Sequence, residues 1–224
     1  MVITEKIKES VHIIGYGTLF DEIVADKAAY SISSELISHS IESIASLTEN
    51  SSASIFSKIP QKSLVFVALD EHALNYIRLE QLYMPAKLAG HKLISLIHSN
   101  AYVSPSAKIG ENVHIGSHSI ISSKCTLGAN VLISSQVRLE NSVQIGMHCF
   151  IGAGSSVSSQ TKIGRHCVIG SNVHIGKDLE IGNHCIIDQP GTIWNKPLQD
   201  GAFLEPGFQT PALIAGIGYS FRTF

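Results

Sequence analysis

From Val103 onward every sixth residue is aliphatic: Val103, Ile109, Ile115, Ile121, Leu127, Ile133, Leu139, Ile145, Ile151, Val157, Ile163, Ile169, Ile175, Ile181, Ile187 and Ile193. So long a run of hexads without an insertion leaves few folds open, since neither the 3.6 period of a helix nor the alternation of an ordinary strand fits it. The residue after each aliphatic is usually Gly or Ser, as at Gly110, Gly128, Gly146, Gly164 and Gly182. Two positions before it stands a small or modest side chain, such as Ala107, Val113, Cys125, Ser155 or Cys167. The pattern predicts a parallel β-helix with three short strands per coil, the aliphatic and small residues inward and the Gly position letting the backbone turn. Sixteen hexads make about five coils, roughly 25 Å tall at a strand spacing of about 4.8 Å. So narrow a prism has little room for rings, and Phe150 is the only aromatic residue between Val103 and Ile193.

Three hexads per coil also predict columns of residues 18 apart. Val113, Val131, Cys149, Cys167 and Cys185 stack inside, and Cys125 takes the same small inward position, which makes the four cysteines small apolar spacers rather than disulfide partners or zinc ligands. No C-x-x-C pair is present. Asn112, Asn130, His148, His166 and His184 form an outer column at a turn position where Asn tolerates a left-handed backbone. Imidazoles stacked about 4.8 Å apart resist joint protonation near pH 6 and do not converge on one ion. A zinc site of the γ-carbonic anhydrase kind needs two histidines five residues apart, and no two here differ by five. No metal is expected.

The regular coil explains a composition that otherwise suggests a membrane. Only 15% of the residues are charged and 44% are hydrophobic, but no run of about 18 apolar residues exists. No basic-then-apolar leader opens the chain. We therefore expect a soluble, cytoplasmic protein with no membrane insertion. A net charge of -2 gives no reason to expect nucleic acid as a partner.

Residues 1–100 read as a separate domain. Val11-His12-Ile13-Ile14-Gly15 predicts a strand with a tight turn at Gly15-Tyr16-Gly17, and Leu19, Phe20, Ile23 and Val24 have helical spacing. Residues 31–57 are serine-rich without a period. Leu64–Leu69 predicts a buried strand, Leu74, Ile77 and Leu82 the next helix, and Leu93–Ile97 a further strand. Alternation of this kind argues a small α/β domain with a parallel sheet. Its ligand would sit beyond the strand carboxyl ends, near Gly15, Gly17, Thr18 and Asp70. Phe20 stands where a dinucleotide fingerprint needs its third Gly, so the loop is a tight turn or a phosphate-approach loop. After residue 193 the aromatic tail, with Trp194, Phe203, Phe208, Tyr219, Phe221 and Phe224, needs an apolar surface on the β-helix or a neighbouring subunit.

A glycine-marked α/β domain, the junction from Leu96 to Gly110 and the hexads after it resemble the bacterial nucleotide-sugar N-acetyltransferases of the bacillosamine and perosamine type, and the sialic acid O-acetyltransferase-like proteins. The resemblance covers about residues 9–193. It implies a Rossmann-like N-terminal domain (1–100), a left-handed β-helix (101–193), a tail (194–224) and a homotrimer. It also implies a nucleotide-activated amino sugar on the N-terminal domain and acetyl-CoA between neighbouring β-helices, for surface-polysaccharide synthesis. In such enzymes a His followed by an acidic residue takes the proton of a sugar amine that attacks the thioester. Here those positions hold Asn141 and Ser142, a second family His is Phe150, and a glycine facing the thioester carbonyl is Ser159. The closing G-x-P-A-K-like segment of many members is not evident in the tail. The expected acyl-CoA contacts are Phe150, Ser159 and Lys177. Asn141 accepts no proton, so the nearest candidate base is Glu140, if desolvation raises its pKa. Otherwise the departing CoA thiolate takes the proton. The alternatives are a catalytically silent trimer that binds a nucleotide-sugar or partner enzymes, and a sugar O-acetyltransferase with a different base.

Overall fold

The computed structural model describes residues 10–32, 35–42, 49–69, 78–191, 193–204 and 212–213. The apolar runs at Val11–Tyr16 (β1) and Leu64–Leu69 (β3) lie side by side in a parallel sheet, flanked by Leu36–Ser40 (β2) and Lys92–Leu93 (β4), in the order β2-β1-β3-β4. A strand buried on both faces must be apolar throughout, and β3 is buried along its whole length. Leu19, Phe20 and Ile23 of α1 (Thr18–Ala25) cover Val11, Ile13, Phe66 and Ala68 on one face. Phe56 of α2 (Glu49–Ser57) and Leu82, Tyr83 and Ala86, from the π-helical turn Arg78–Tyr83 and α3 (Met84–Leu88), cover Ile14, Val65, Val67 and Leu69 on the other. The α/β domain therefore has the expected parallel sheet. Its serine-rich part adds β2, a half-buried edge strand, and α2, neither of which has a clear hydrophobic period. Asp70, Leu74 and Ile77 lie outside the described residues.

The hexads wind into a three-sided prism of stacked parallel strands, each two residues long except where the coil ends. The first face stacks five strands, from Lys108–Ile109 to Glu180–Ile181. The second runs from Leu96–Ile97 to Ala202–Leu204, with Ala212–Leu213 antiparallel at its end. The third stacks six, from Tyr102–Val103 to Ile193–Trp194. Adjacent strands pair with an offset of 18, as in Leu127 opposite Ile145 and Ile145 opposite Ile163. The inward aliphatic and small residues form one continuous core. Stacked parallel strands with this repeat fit a left-handed β-helix.

Both boundaries differ from the sequence expectation. The run Leu93–Ile97 is not one strand: Leu93 closes the sheet of the α/β domain, while Leu96–Ile97 pairs with His114–Ile115 and begins the β-helix. Ser95 makes the break, its hydroxyl donating to the Gly110 carbonyl and accepting from the Val113 N–H. At the other end Ile193 pairs with His174 and Trp194 with Ile175, an offset of 19. With this slip Trp194 packs against the core. The coil then continues irregularly, with Leu198 bridging to Ile181 and Leu204 pairing with Ile187. Phe208, Tyr219, Phe221 and Phe224 lie outside the described residues.

The corners work differently from the glycine reading. Gly146 does not supply a left-handed turn; its added Cβ would stand 2.6 Å from the Gly164 backbone, so close stacking of coils requires it. The left-handed residue comes two positions later and is mostly not glycine: Asn112, Asn130, His148, His166 and His184 have φ between 50 and 60°. The inward small residue is also more than a spacer. Thr161 donates to the Gly176 carbonyl at 2.7 Å and accepts from the Leu179 N–H at 3.3 Å. Ser119 and Ser155 repeat the pattern, and the thiols of Cys149 and Cys167 donate to the Gly164 and Gly182 carbonyls, each at 3.0 Å. Turning backbone inside a dry prism has polar groups that the strand ladders miss, and these side chains satisfy them.

Candidate active site

The carboxyl ends of β1 and β3 meet at the middle of the sheet. Gly15 is buried there because a Cβ would lie 1.8 Å from the Ala68 carbonyl oxygen; its role is close packing of two strands. Gly17, at φ 92° and ψ -171°, takes a conformation reserved for glycine and opens α1 without a side-chain cap. Thr18 follows, exposed, at the first turn. These two residues remain a suitable anion approach, whereas Gly15 is structural.

The same end of the sheet is bolted to the corner between the first and second faces. Asn112, fully buried, accepts from the Val67 N–H at 2.8 Å and donates to the Val67 carbonyl and to Asn130. Arg78, also fully buried, donates to the Leu69 carbonyl and to the carbonyl and side chain of Asn130. Above Asn130, His148, His166 and His184 stack with ring centroids 4.8 and 5.0 Å apart. Burial, then Arg78, lowers the His148 pKa to about 4; burial, then His148 and His184, lowers that of His166 to about 4. The rings are parallel, as expected, and among the described residues no group of three or more His, Cys, Asp or Glu is arranged for a metal. Arg78 was not legible in the sequence, because its partners are brought to it by the other domain.

The expected catalytic residues gather at the opposite corner, between the third and first faces. Ser123, Asn141, Ser159 and Lys177 stack there one coil apart. Asn141 is exposed and accepts from the Ser123 hydroxyl at 2.8 Å. Glu140 accepts from both the N–H and the hydroxyl of Ser159 at 3.1 Å, with Arg138 3.6 Å from its other oxygen. The Ser159 N–H and hydroxyl, with Arg138 and His174 nearby, hold the Glu140 carboxyl below the usual range, against a smaller opposing effect of burial. The condition under which Glu140 would serve as a base, a pKa raised by desolvation, is therefore not met, because the Ser159 hydrogen bonds outweigh burial. The N–H of Ser159, expected to face a thioester, is engaged by Glu140 instead. Lys177 is exposed at the top of the column. Phe150 is elsewhere: it lies on the second face and packs against the core of the α/β domain. Residue spacing alone had not separated it from the corner.

One pair at this edge escaped the sequence reading. Ser156 and His174 are direct neighbours on the third face, and their Oγ and Nδ1 atoms are hydrogen-bonded. Their separation of 18, both at the outward strand position, was the available signal. Around the corner the first face carries a shallow depression of about 480 Å³ whose lining includes Gln144, Lys162 and Glu180.

Comparisons with known proteins agree with this architecture. The family described as bacterial transferase hexapeptide (six repeats) matches residues 160–188, and the hexapeptide repeat of succinyl-transferase matches residues 106–135. Among curated proteins no sequence matches the chain. The acetyltransferase domain of PglB from Neisseria gonorrhoeae, solved in complex with acetyl coenzyme A, superposes with a TM-score of 0.76 at 19% identity, over 92% of this chain and 100% of that one. PerB from Caulobacter crescentus, solved with CoA and GDP-perosamine, superposes with a TM-score of 0.73 at 19% identity, over 92% and 97%. A histidine-to-asparagine variant of the Caulobacter perosamine N-acetyltransferase, also solved with CoA and GDP-perosamine, gives 0.56 at 19%, with the same coverage. The chain thus carries the hexapeptide repeat of bacterial transferases and shares its whole two-part fold with sugar N-acetyltransferases.

Proposed function

We propose that the protein is an acyl-CoA-dependent acyltransferase that acetylates an amino group on a nucleotide-linked sugar, supplying surface-polysaccharide synthesis from the cytoplasm. The observation that carries this reading is the match over nearly the full length of both chains to a domain whose structure holds acetyl-CoA. The Rossmann-like N-terminal domain would hold the nucleotide-sugar, its diphosphate near Gly17 and Thr18 at the uncapped start of α1. The column at Ser159 and Lys177 would hold acetyl-CoA. The two regions face away from each other within one chain, since the α/β domain covers the second face and the column lies on the corner opposite it. A homotrimer would resolve this by setting the column of one protomer beside the α/β domain of the next.

A second reading, a silent trimer that binds nucleotide-sugar or partner enzymes, is favoured by one observation: Asn141 accepts no proton and Glu140 is already engaged by Ser159. The asparagine variant of the Caulobacter enzyme holds both ligands, which supports retained binding but not chemistry. A hydroxyl acceptor with a different base is the third. Calorimetry with acetyl-CoA and with UDP-, GDP- and dTDP-linked amino sugars tests the proposal. It predicts saturable binding of acetyl-CoA and of at least one nucleotide-sugar; nucleotide-sugar binding without acetyl-CoA binding would favour the silent trimer.

A further inference from the structure

The chain lacks the expected base at Asn141, and Glu140 is held ionised by its partners. Among the β-helix histidines, His148, His166 and His184 occupy the far corner in a stack, His114 is buried on the second face and His118 is on the corner between the second and third faces. Among the described histidines of the β-helix, His174 alone lies on a face that borders the column of Asn141, Ser159 and Lys177. It is half-buried, and its strand leads directly into the corner at Gly176 and Lys177. Ser159 lies one coil below that corner, about 4.8 Å away in the stacking direction.

We propose that His174 is the general base of the acyl transfer and that Ser156 is its positioning residue. The inference rests on the acyltransferase reading and supplies the group that reading lacks. When Nδ1–H donates to Ser156 Oγ, Nε2 carries the lone pair and points away from Ser156. With Ser156 as the acceptor, this hydrogen bond orients the ring and leaves the other nitrogen free to take a proton. On the coil two below, Arg138 and Glu140 pair with each other at 3.6 Å, and the strand above carries Ile193.

The step balances without a metal or an oxidant. The sugar amine attacks the acetyl carbonyl, its N–C bond forms and the C–S bond of acetyl-CoA breaks. The proton lost by nitrogen passes to His174 Nε2 and then to the departing thiolate. The products are the N-acetyl sugar and free CoA.

Replacement by His174→Ala tests this, read by thiol release for turnover and calorimetry for acetyl-CoA affinity. The expected result is a fall in kcat of about 100-fold or more, with acetyl-CoA affinity within about twofold of the unsubstituted chain. Ser156→Ala is expected to lower kcat with KM unchanged, and Ser156→Thr, which keeps the oxygen, to restore it. Turnover by His174→Ala within about threefold of the unsubstituted chain overturns the inference while leaving the acyltransferase reading intact. Loss of acetyl-CoA binding in that variant overturns it also, in favour of a binding role. An unsubstituted chain that binds acetyl-CoA but acylates no amine overturns both.

Discussion

His148 and His166 show how one residue type acquires its chemistry from what covers it. Both are held down to about 4 by burial, reinforced by Arg78 for His148 and by the adjacent ring for His166. The unfolded chain, with histidines near 6.5, therefore takes up protons first as the pH falls. Stability from these residues is complete above pH 6.5 and is lost progressively as the pH falls from 6.5 toward 4, a change on the order of a few kcal/mol. Urea midpoints at pH 7 and pH 5 should show that decline. His148→Asn, which installs the residue already present at Asn112 and Asn130, should give a shallower one; equal slopes would contradict the account. The stack itself was legible in the 18-residue spacing. Its burial was not, because the covering groups, Arg78 and Tyr83, belong to the other domain. The same distance in sequence hid the Ser159 bonds that keep Glu140 acidic: a neighbour 19 residues away is adjacent only once the coil has closed.

At the scale of the corner, two kinds of residue that look interchangeable in sequence do different work. Glycine after the aliphatic residue is needed for stacking: Gly146→Ala would place a methyl 2.6 Å from the Gly164 backbone. A loss of about 1–3 kcal/mol is expected from such overpacking, read as a lower urea midpoint. The inward small residue serves hydrogen bonding instead. Thr161→Val keeps the volume but strips the Gly176 carbonyl and the Leu179 N–H of their shared partner. The expected cost is about 1–3 kcal/mol, and a midpoint equal to that of the unsubstituted chain would return Thr161 to a mere spacer. The hexad period revealed that these positions point inward. It did not reveal their hydrogen bonds, since Val, Ser, Thr and Cys satisfy the same size requirement while differing in polarity. The period also failed at the last coil, where the pairing offset becomes 19 and Trp194 packs against the core.

Across the whole molecule, the α/β domain closes over one side of the prism, and among the described residues it does not reach the opposite corner. On the proposed function, that arrangement would make the site a joint product of two protomers. Light scattering should give three times the 24.1 kDa of the chain. Co-expression of Gly17→Val, disabled in the α/β domain, with His174→Ala, disabled on the prism, should recover activity that neither variant shows alone; no recovery would contradict a site shared between protomers. The division into two domains was legible because periodicity changes character near residue 96. Their mutual placement depends on Asn112 and Arg78 reaching across, and no local pattern records that. The proposed reaction is acyl transfer from CoA to a sugar amine. Thiol release from acetyl-CoA, followed across a panel of UDP-, GDP- and dTDP-linked amino sugars, tests it most directly. One thiol released per sugar acetylated is expected for at least one member of the panel, and bound acetyl-CoA with no thiol release for any member would rule out acyl transfer to a sugar amine.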